Sequence, residues 1–413
     1  MKRFLPALAV LLTAVTALAA APADGTTSQD QDVPLLTVVT PYGEEGRDWL
    51  EEQLATWAAT AGFAVDVIPL PLGEIRQQLL LADEADVQAD LLVGVPHDEI
   101  GGLVRNSLLA DLTAWTTETY RGGLPAAALS AFAGSTGLAG LPLTVSGPAL
   151  LVNSELVAEV PDSYEEFIAD AVRLNRRGSS GFLFDFTNFY FSWAWLKGHG
   201  ARLSGDAPAG ELAPQELTLV SDAAVAGLEA LQDLRFRTGL IDDADERAAS
   251  ARLFSEGRLA YAFAGPWTVA EHVAAGVSLE ITAIPEAVPG VPFAGFMTVE
   301  GVLVSAAAAD SAAAVNAAKW LVRPAAQADL ALQAGLVPAA PSALADAGED
   351  AALLAGFSRA LEHADPVPVS PLLSTVWSVF SDLLATLDGA VHSSSQLEGL
   401  LQEAAVELEA GSD

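Results

Sequence analysis

The chain has 413 residues, a formal net charge of −35, 51% hydrophobic residues and no cysteine. Such a charge repels nucleic acid and anionic lipid, and the apolar content argues against disorder. Without thiols there is no disulfide frame, no cysteine-held metal and no cysteine to carry a lipid.

The first residues read as an export signal. Lys2 and Arg3 precede an apolar run from Phe4 to Leu18, and Ala17-Leu18-Ala19 is a small-x-small cleavage site. Cleavage after Ala19 leaves 394 of the 413 residues and moves the charge to −37. Residues 20–32 lack a hydrophobic period and are expected to form a flexible leader. The remaining length suits two domains rather than one core. The most apolar later stretch, Gly301 to Val322, contains Asp310, Asn316 and Lys319, so no bilayer span is expected. The expectation is a soluble exported protein with no direct membrane anchor, periplasmic in preference to fully secreted.

From Val33 onward, short strands and helices alternate. Leu35 to Thr40 predicts a strand, and a Pro41-Tyr42-Gly43 turn leads to a helix whose face carries Trp49, Leu50, Leu54 and Trp57. Gly62 is placed as its C-terminal cap. Phe63 to Ile68 predicts a second strand, Gly73 to Ala82 a helix, and Ala89 to Val95 a third strand. This order predicts an α/β chain with a largely parallel sheet covered on both faces. Ser163 and Glu166 form a capping box that opens a helix to Leu174.

Eight aromatics then crowd into Phe182 to Trp195. Phe182, Phe186, Phe189 and Trp193 recur at helical spacing and fit a buried helix. Tyr190, Trp193, Asp185, Asn188 and Ser192 add polar handles, a mixture that suits a sugar ring, with its apolar faces and hydroxyl rim. Both readings stay open at this point. Arg258 to Ala264 alternates large and small residues as a strand does. Pro266 fits the first position of a new helix that Gly276 closes. Pro285 to Pro292 is a linker, Gly301 to Ser305 a strand and Ser311 to Val322 a helix. From Pro341 onward the pattern is helical, with one stripe through Leu373, Val376, Trp377, Phe380, Leu384 and Leu387 and another through Leu397, Leu400, Leu401 and Leu408. There is no internal repeat.

Enzyme signatures are scarce: the five histidines are isolated and no phosphate loop occurs. A glycosidase-like carboxylate pair has no specific support among 54 acidic residues. His97-Asp98 follows the third strand at a carboxyl end, where open α/β sheets hold ligands. Asp98 could accept from vicinal hydroxyls or simply cap the next helix. Trp267 follows Gly265-Pro266 at a turn, which fits an outward-facing ring as well as a structural one. Trp377, on a helical stripe, fits burial.

In order, the chain shows His97-Asp98, Gly101-Gly102, Asn106 to Leu112, Gly140 to Asn153, the aromatic block, Phe254-Ser255-Glu256-Gly257 running to Gly265-Pro266-Trp267, and Trp377. Taken together this resembles the maltose-binding protein group of bacterial extracellular solute-binding proteins, the capture subunits of carbohydrate ABC transporters. The likeness covers nearly all of the mature chain.

The resemblance implies a two-lobed periplasmic binding protein fold of type II, each lobe a mixed, mostly parallel sheet flanked by helices, with the ligand cleft between. It places residues 33–144 and 293–338 in one lobe, 148–288 and 341–413 in the other, and hinge crossings at 145–147, 289–292 and 339–340. It implies that Asp98 is the hydroxyl-binding carboxylate of the first lobe and that Tyr190, Trp267 and Trp377 stack on the sugar. Glu44 and Asn188 are expected to fix further hydroxyls, and His97 and Ser146 are the remaining candidate ligand-binding residues. The implied partners are a carbohydrate and the permease subunits of an ABC importer. A monomer is expected, with no cofactor, no metal and no enzymatic step.

This chain departs from the maltose binder at four places. Val95-Pro96 stands where that protein has a tryptophan and Glu99 where it has an arginine. Ser146 replaces a hinge carboxylate, and a stretch with Glu44 and Glu45 replaces an Asp-Lys pair. The ligand class is therefore maltose or a maltooligosaccharide, or a trehalose-like glucoside. A polyamine or other solute, or a secreted glycoside hydrolase, remains the alternative.

Overall fold

A computed structural model describes residues 33–80, 88–175, 179–203, 218, 220–241, 247–345, 348, 351–369 and 373–410. The export signal, the leader and the last two residues of the helix expected to end at Ala82 lie outside these residues. Among the described residues no helix is long and apolar enough to cross a membrane.

Two sheets organise the chain. The first is built from β1 (Leu35–Thr40), β2 (Ala64–Pro69), β3 (Leu91–Pro96), β6 (Leu141–Ser146), β11 (Phe296–Val304) and the two-residue β12 (Asp365–Pro366). Its order is β12-β11-β3-β1-β2, with β6 also paired to β11. The two-residue strands β4 (Ala133–Gly134) and β5 (Gly137–Leu138) form a separate hairpin. The second sheet has the order β10-β7-β9-β8, from β7 (Ala149–Asn153), β8 (Ser180–Leu183), β9 (Leu259–Ala264) and β10 (Leu279–Thr282).

The opening unit forms as its spacing predicts. Helix α1 (Glu44–Ala61) buries Trp49, Leu50, Leu54 and Trp57 and ends at Gly62, whose φ of 77° suits a residue without a Cβ. The chain then returns as β2, parallel to β1. Helix α2 (Leu72–Leu80) leads back to β3, again parallel to β1. Two such crossovers account for the parallel half of the first sheet. The other half differs from expectation, because β11 pairs antiparallel with both β3 and β6. In the second sheet only β8 and β9 run parallel. The sheets are therefore more evenly mixed than the strand-helix alternation predicted, because several strands follow one another or return without a crossover helix.

Among the described residues, three stretches carry the chain between the sheets before β12 returns it to the edge of the first. Gly147-Pro148 joins β6 directly to β7, and a Cβ at Gly147 would lie 2.7 Å from Phe296 O, which explains the glycine. The segment after β10 returns through an Ile284–Phe293 bridge to β11. Val337 O then accepts from Val145 N–H (2.9 Å) and Ala339 N–H donates to Leu143 O (3.1 Å), before the helix Ala352–Ala360 packs on β10.

The aromatic run divides into two elements. Phe182 belongs to strand β8, residues 184–188 form a turn, and only Phe189–Gly198 is helical (α7). Sequence spacing alone could not separate the two, since a short apolar run fits either period. Six of the eight rings are buried, while Tyr190 and Phe191 are half-exposed. Phe184 stacks on Trp195 at 4.2 Å and Phe189 on Phe380 at 3.8 Å. Another departure concerns β11, which starts at Phe296 instead of Gly301; Thr298 and Glu300 gave its first half a polar pattern.

Phe189 also touches Trp193, Phe296 and Trp377. Phe189→Ala should therefore cost about 3–5 kcal/mol, read as a lowered urea midpoint with an unchanged slope.

Candidate functional site

The carboxyl ends of β3 and β6 lie beside the first turn of α7, and Trp267, in the turn after β9, lies against that turn. Asp98 lies in a single 3-10 turn, His97–Glu99, directly after β3. It caps no helix: the following short helix, Gly101–Arg105, has Ile100 at its N-cap and no side-chain bond there. Instead, Asp98 Oδ1 is buried without a hydrogen-bond partner among the described residues. A buried carboxylate oxygen left unpaired is costly unless something supplies a donor.

Near it is Tyr190, at the start of α7. Burial raises the Tyr190 hydroxyl above its ordinary pKa, and the charge of Asp98 pushes it in the same direction. The hydroxyl reaches Ser146 O at 3.4 Å, and the ring stacks on Phe296 with centroids 6.3 Å apart. Trp267 lies beside it at 6.4 Å, tilted by 47°. The indole folds back over Gly265, where a Cβ would come within 2.1 Å of it, yet Trp267 remains 56% exposed. So large an exposed ring on a Pro266-fixed turn offers a free apolar face.

The other sequence-predicted residues divide. Trp377 is half-buried, edge-on to Phe189 at 5.3 Å and to Phe296 at 5.5 Å, so it joins the ring cluster that supports Tyr190. Ser146 lends its backbone oxygen to Tyr190 and sits opposite Thr298 in the β6–β11 ladder. Asn188 is exposed and its side-chain oxygen caps α7 by accepting from Tyr190 N–H at 3.0 Å. Glu44 is exposed in the first turn of α1, where its charge complements the helix dipole. His97 is a correction. It is fully buried, its Nε2–H donates to Val367 O at 2.8 Å, and its Nδ1 accepts from Val299 N–H at 3.0 Å. Burial lowers its pKa against the opposing pull of Asp98, so both ring nitrogens are committed to the backbone and neither is offered to a ligand.

Three residues escaped the sequence reading. Tyr42, from the turn after β1, donates to Glu300 Oε2 at 3.1 Å, and Thr144 donates to the same oxygen at 2.8 Å. Burial raises the Glu300 carboxyl above its ordinary pKa; the two hydrogen bonds oppose this and the nearby Asp98 charge reinforces it. Glu300 stands opposite Thr144 on β6 and Pro96 on β3, so three strands deliver these groups to one place. The only hint in the sequence was a polar pair, Thr298 and Glu300, within an apolar strand. Glu99, also nearby in sequence, turns outward and pairs with Arg76 at 2.8 Å.

A separate groove of about 900 Å³ lies between Leu124–Ala127, Lys197 and Ala340–Ser342. It contains none of the sequence-predicted site residues. Among the described residues no group of three or more His, Asp or Glu side chains is placed to hold a metal ion.

A family model described as "Bacterial extracellular solute-binding protein" matches residues 52–355. A galactooligosaccharide-binding protein of Bacillus subtilis (strain 168) is 24% identical over 354 residues, 83% of this chain and 82% of that protein. A maltooligosaccharide ABC transporter solute-binding lipoprotein of Streptococcus pneumoniae (strain ATCC BAA-255 / R6) is 24% identical over 380 residues, 88% of this chain and 85% of that one. The solved Thermus thermophilus maltotriose binding protein, bound with maltotriose, is 29% identical with a TM-score of 0.65, covering 91% of this chain and 99% of its own. The chain belongs to the bacterial extracellular solute-binding protein family.

The Tyr42 ring is seated on two glycines. A Cβ at Gly94, whose φ is +80°, would come within 2.5 Å of it. Gly94→Ala should therefore displace Tyr42 from Glu300 and cost about 2 kcal/mol or more, measured by thermal unfolding.

Proposed function

We propose that this member of the solute-binding family captures an uncharged hexose oligosaccharide between its lobes and delivers it to the permease of an ABC importer. The observation that carries the reading is the buried Asp98 oxygen, without a hydrogen-bond partner among the described residues, near Tyr190, whose ring lies beside Trp267. A sugar meets both demands, since its hydroxyls donate to the carboxylate and its C–H faces lie on the rings. The sugars named for the relatives, galactooligosaccharide, maltooligosaccharide and maltotriose, support the same ligand class.

Binding involves no covalent chemistry. Asp98 belongs to the first lobe and the rings to the second, so a ligand that touches both favours the closed arrangement by the contacts that closure completes. The hinge assigned to 145–147, 289–292 and 339–340 fits the three passages of the chain between the sheets. Export by the N-terminal signal, residence in a periplasm as a free monomer, and docking of the closed form on the permease complete the reading. It is supported by the signal-like N-terminus and the absence of cysteine from the sequence.

Calorimetry against maltose, maltotriose, trehalose and glucose tests the class, with thermal shift as a screen. A ligand at about 100 times its Kd should stabilise the protein by about 2.7 kcal/mol. Absence of a shift with every sugar, alongside a shift with a polyamine, would transfer the cleft to a charged solute. Trp267→Ala should weaken sugar binding by about 10- to 100-fold, equivalent to about 1.4–2.8 kcal/mol. It should leave the melting temperature nearly unchanged, because the ring is largely exposed. Unaltered affinity would remove Trp267 from the site.

A further inference from the structure

We propose that Glu300 is a second ligand-reading carboxyl that works as a hydrogen-bond donor: one sugar hydroxyl donates to Asp98 Oδ1 and accepts from the Glu300 carboxyl. This rests on the carbohydrate reading above. Both internal bonds of Glu300, from Tyr42 and Thr144, end on Oε2. That leaves Oε1 as the atom able to carry a proton and to present it elsewhere.

The surroundings explain why a proton stays there. The groups around Glu300 are Tyr42 from the turn after β1, Thr144 from β6, Asp98 and the uncharged His97 after β3, and Tyr190 beyond Asp98 on α7. None of these groups is a lysine or arginine, and Arg76, which reaches the same turn, pairs with Glu99 instead. Burial raises the Glu300 pKa, and the neighbouring Asp98 charge adds to the shift. Hydroxyls both donate and accept, so an acceptor beside a donor satisfies one completely.

The sign of the pH effect follows. The acid form of Glu300 is present below its raised titration range and is lost as the pH climbs through it. Sugar affinity should therefore fall as the pH climbs through that raised range, by at most about tenfold per pH unit for one proton.

The test is calorimetry on the full chain at several pH values with the tightest-binding sugar of the maltose, maltotriose and trehalose panel. Glu300→Gln, which keeps a donor, should bind within about threefold of wild type and show no such pH decline; Glu300→Ala should lose about tenfold or more. Wild-type binding should also take up a proton at high pH, seen as a heat that varies with the buffer's ionisation enthalpy. A purely structural Glu300 would lower the melting temperature without moving the pH profile. Identical pH profiles for wild type and Glu300→Gln, or a Gln variant as weak as the Ala variant, would overturn the assignment. If Glu300→Ala does not fold, the wild-type and Gln profiles decide. Absence of binding to every sugar would overturn the carbohydrate reading as well, so the two failures are distinguishable.

Discussion

One strand carries two cores. Phe296, at the start of β11, is buried among Trp193, Phe189 and Trp377 of the aromatic cluster. Val302, Leu303 and Val304, at its end, are buried in a different cluster, with Leu91, Leu92 and Val93 of β3. Between them the strand is antiparallel to β3 on one side and to β6 on the other, with register shifts next to Glu300 and Gly301. Such irregularities re-aim side chains. Without β11 the first sheet would lose its link to both β6 and β12, and Tyr190 the ring beneath it.

The same strand sets the electrostatics of the cleft. An aromatic wall lowers the local dielectric, and Asp98, Glu300 and Tyr42 meet near it. In such surroundings each charge interacts more strongly than at the surface. Hydroxyl groups suit this environment because they satisfy carboxyls without requiring compensating charge. The overall acidity of the chain is a separate matter, since most of its carboxylates are solvated.

What the sequence disclosed depended on distance along the chain. Trp49, Leu50, Leu54 and Trp57 recur at helical spacing and Gly62 follows them, so α1 was plain. Pro266 after Gly265 fixed the turn that carries Trp267, again a local signal. The aromatic run misled in its first half because spacing cannot separate β8 from α7 when every apolar residue is large. Asp98 followed by a short helix looked like a cap, but the cap position fell to Ile100. His97 resembled a ligand until the strand 202 residues further on supplied its partner. The Tyr42–Glu300 bond joins residues 258 positions apart. Contacts of that kind are set by strand order, and no local pattern announces them.

The seat of Tyr42 constrains what this lineage can become. Gly46 lies in the first turn of α1, where glycine costs about 1 kcal/mol relative to alanine, and a Cβ there would come within 3.0 Å of the tyrosine ring. Positions 42 and 46 are therefore coupled by space: a side chain at 46 would have to push the ring off its seat by a few tenths of an ångström, whereas a smaller residue at 42 would leave room for the better helix former.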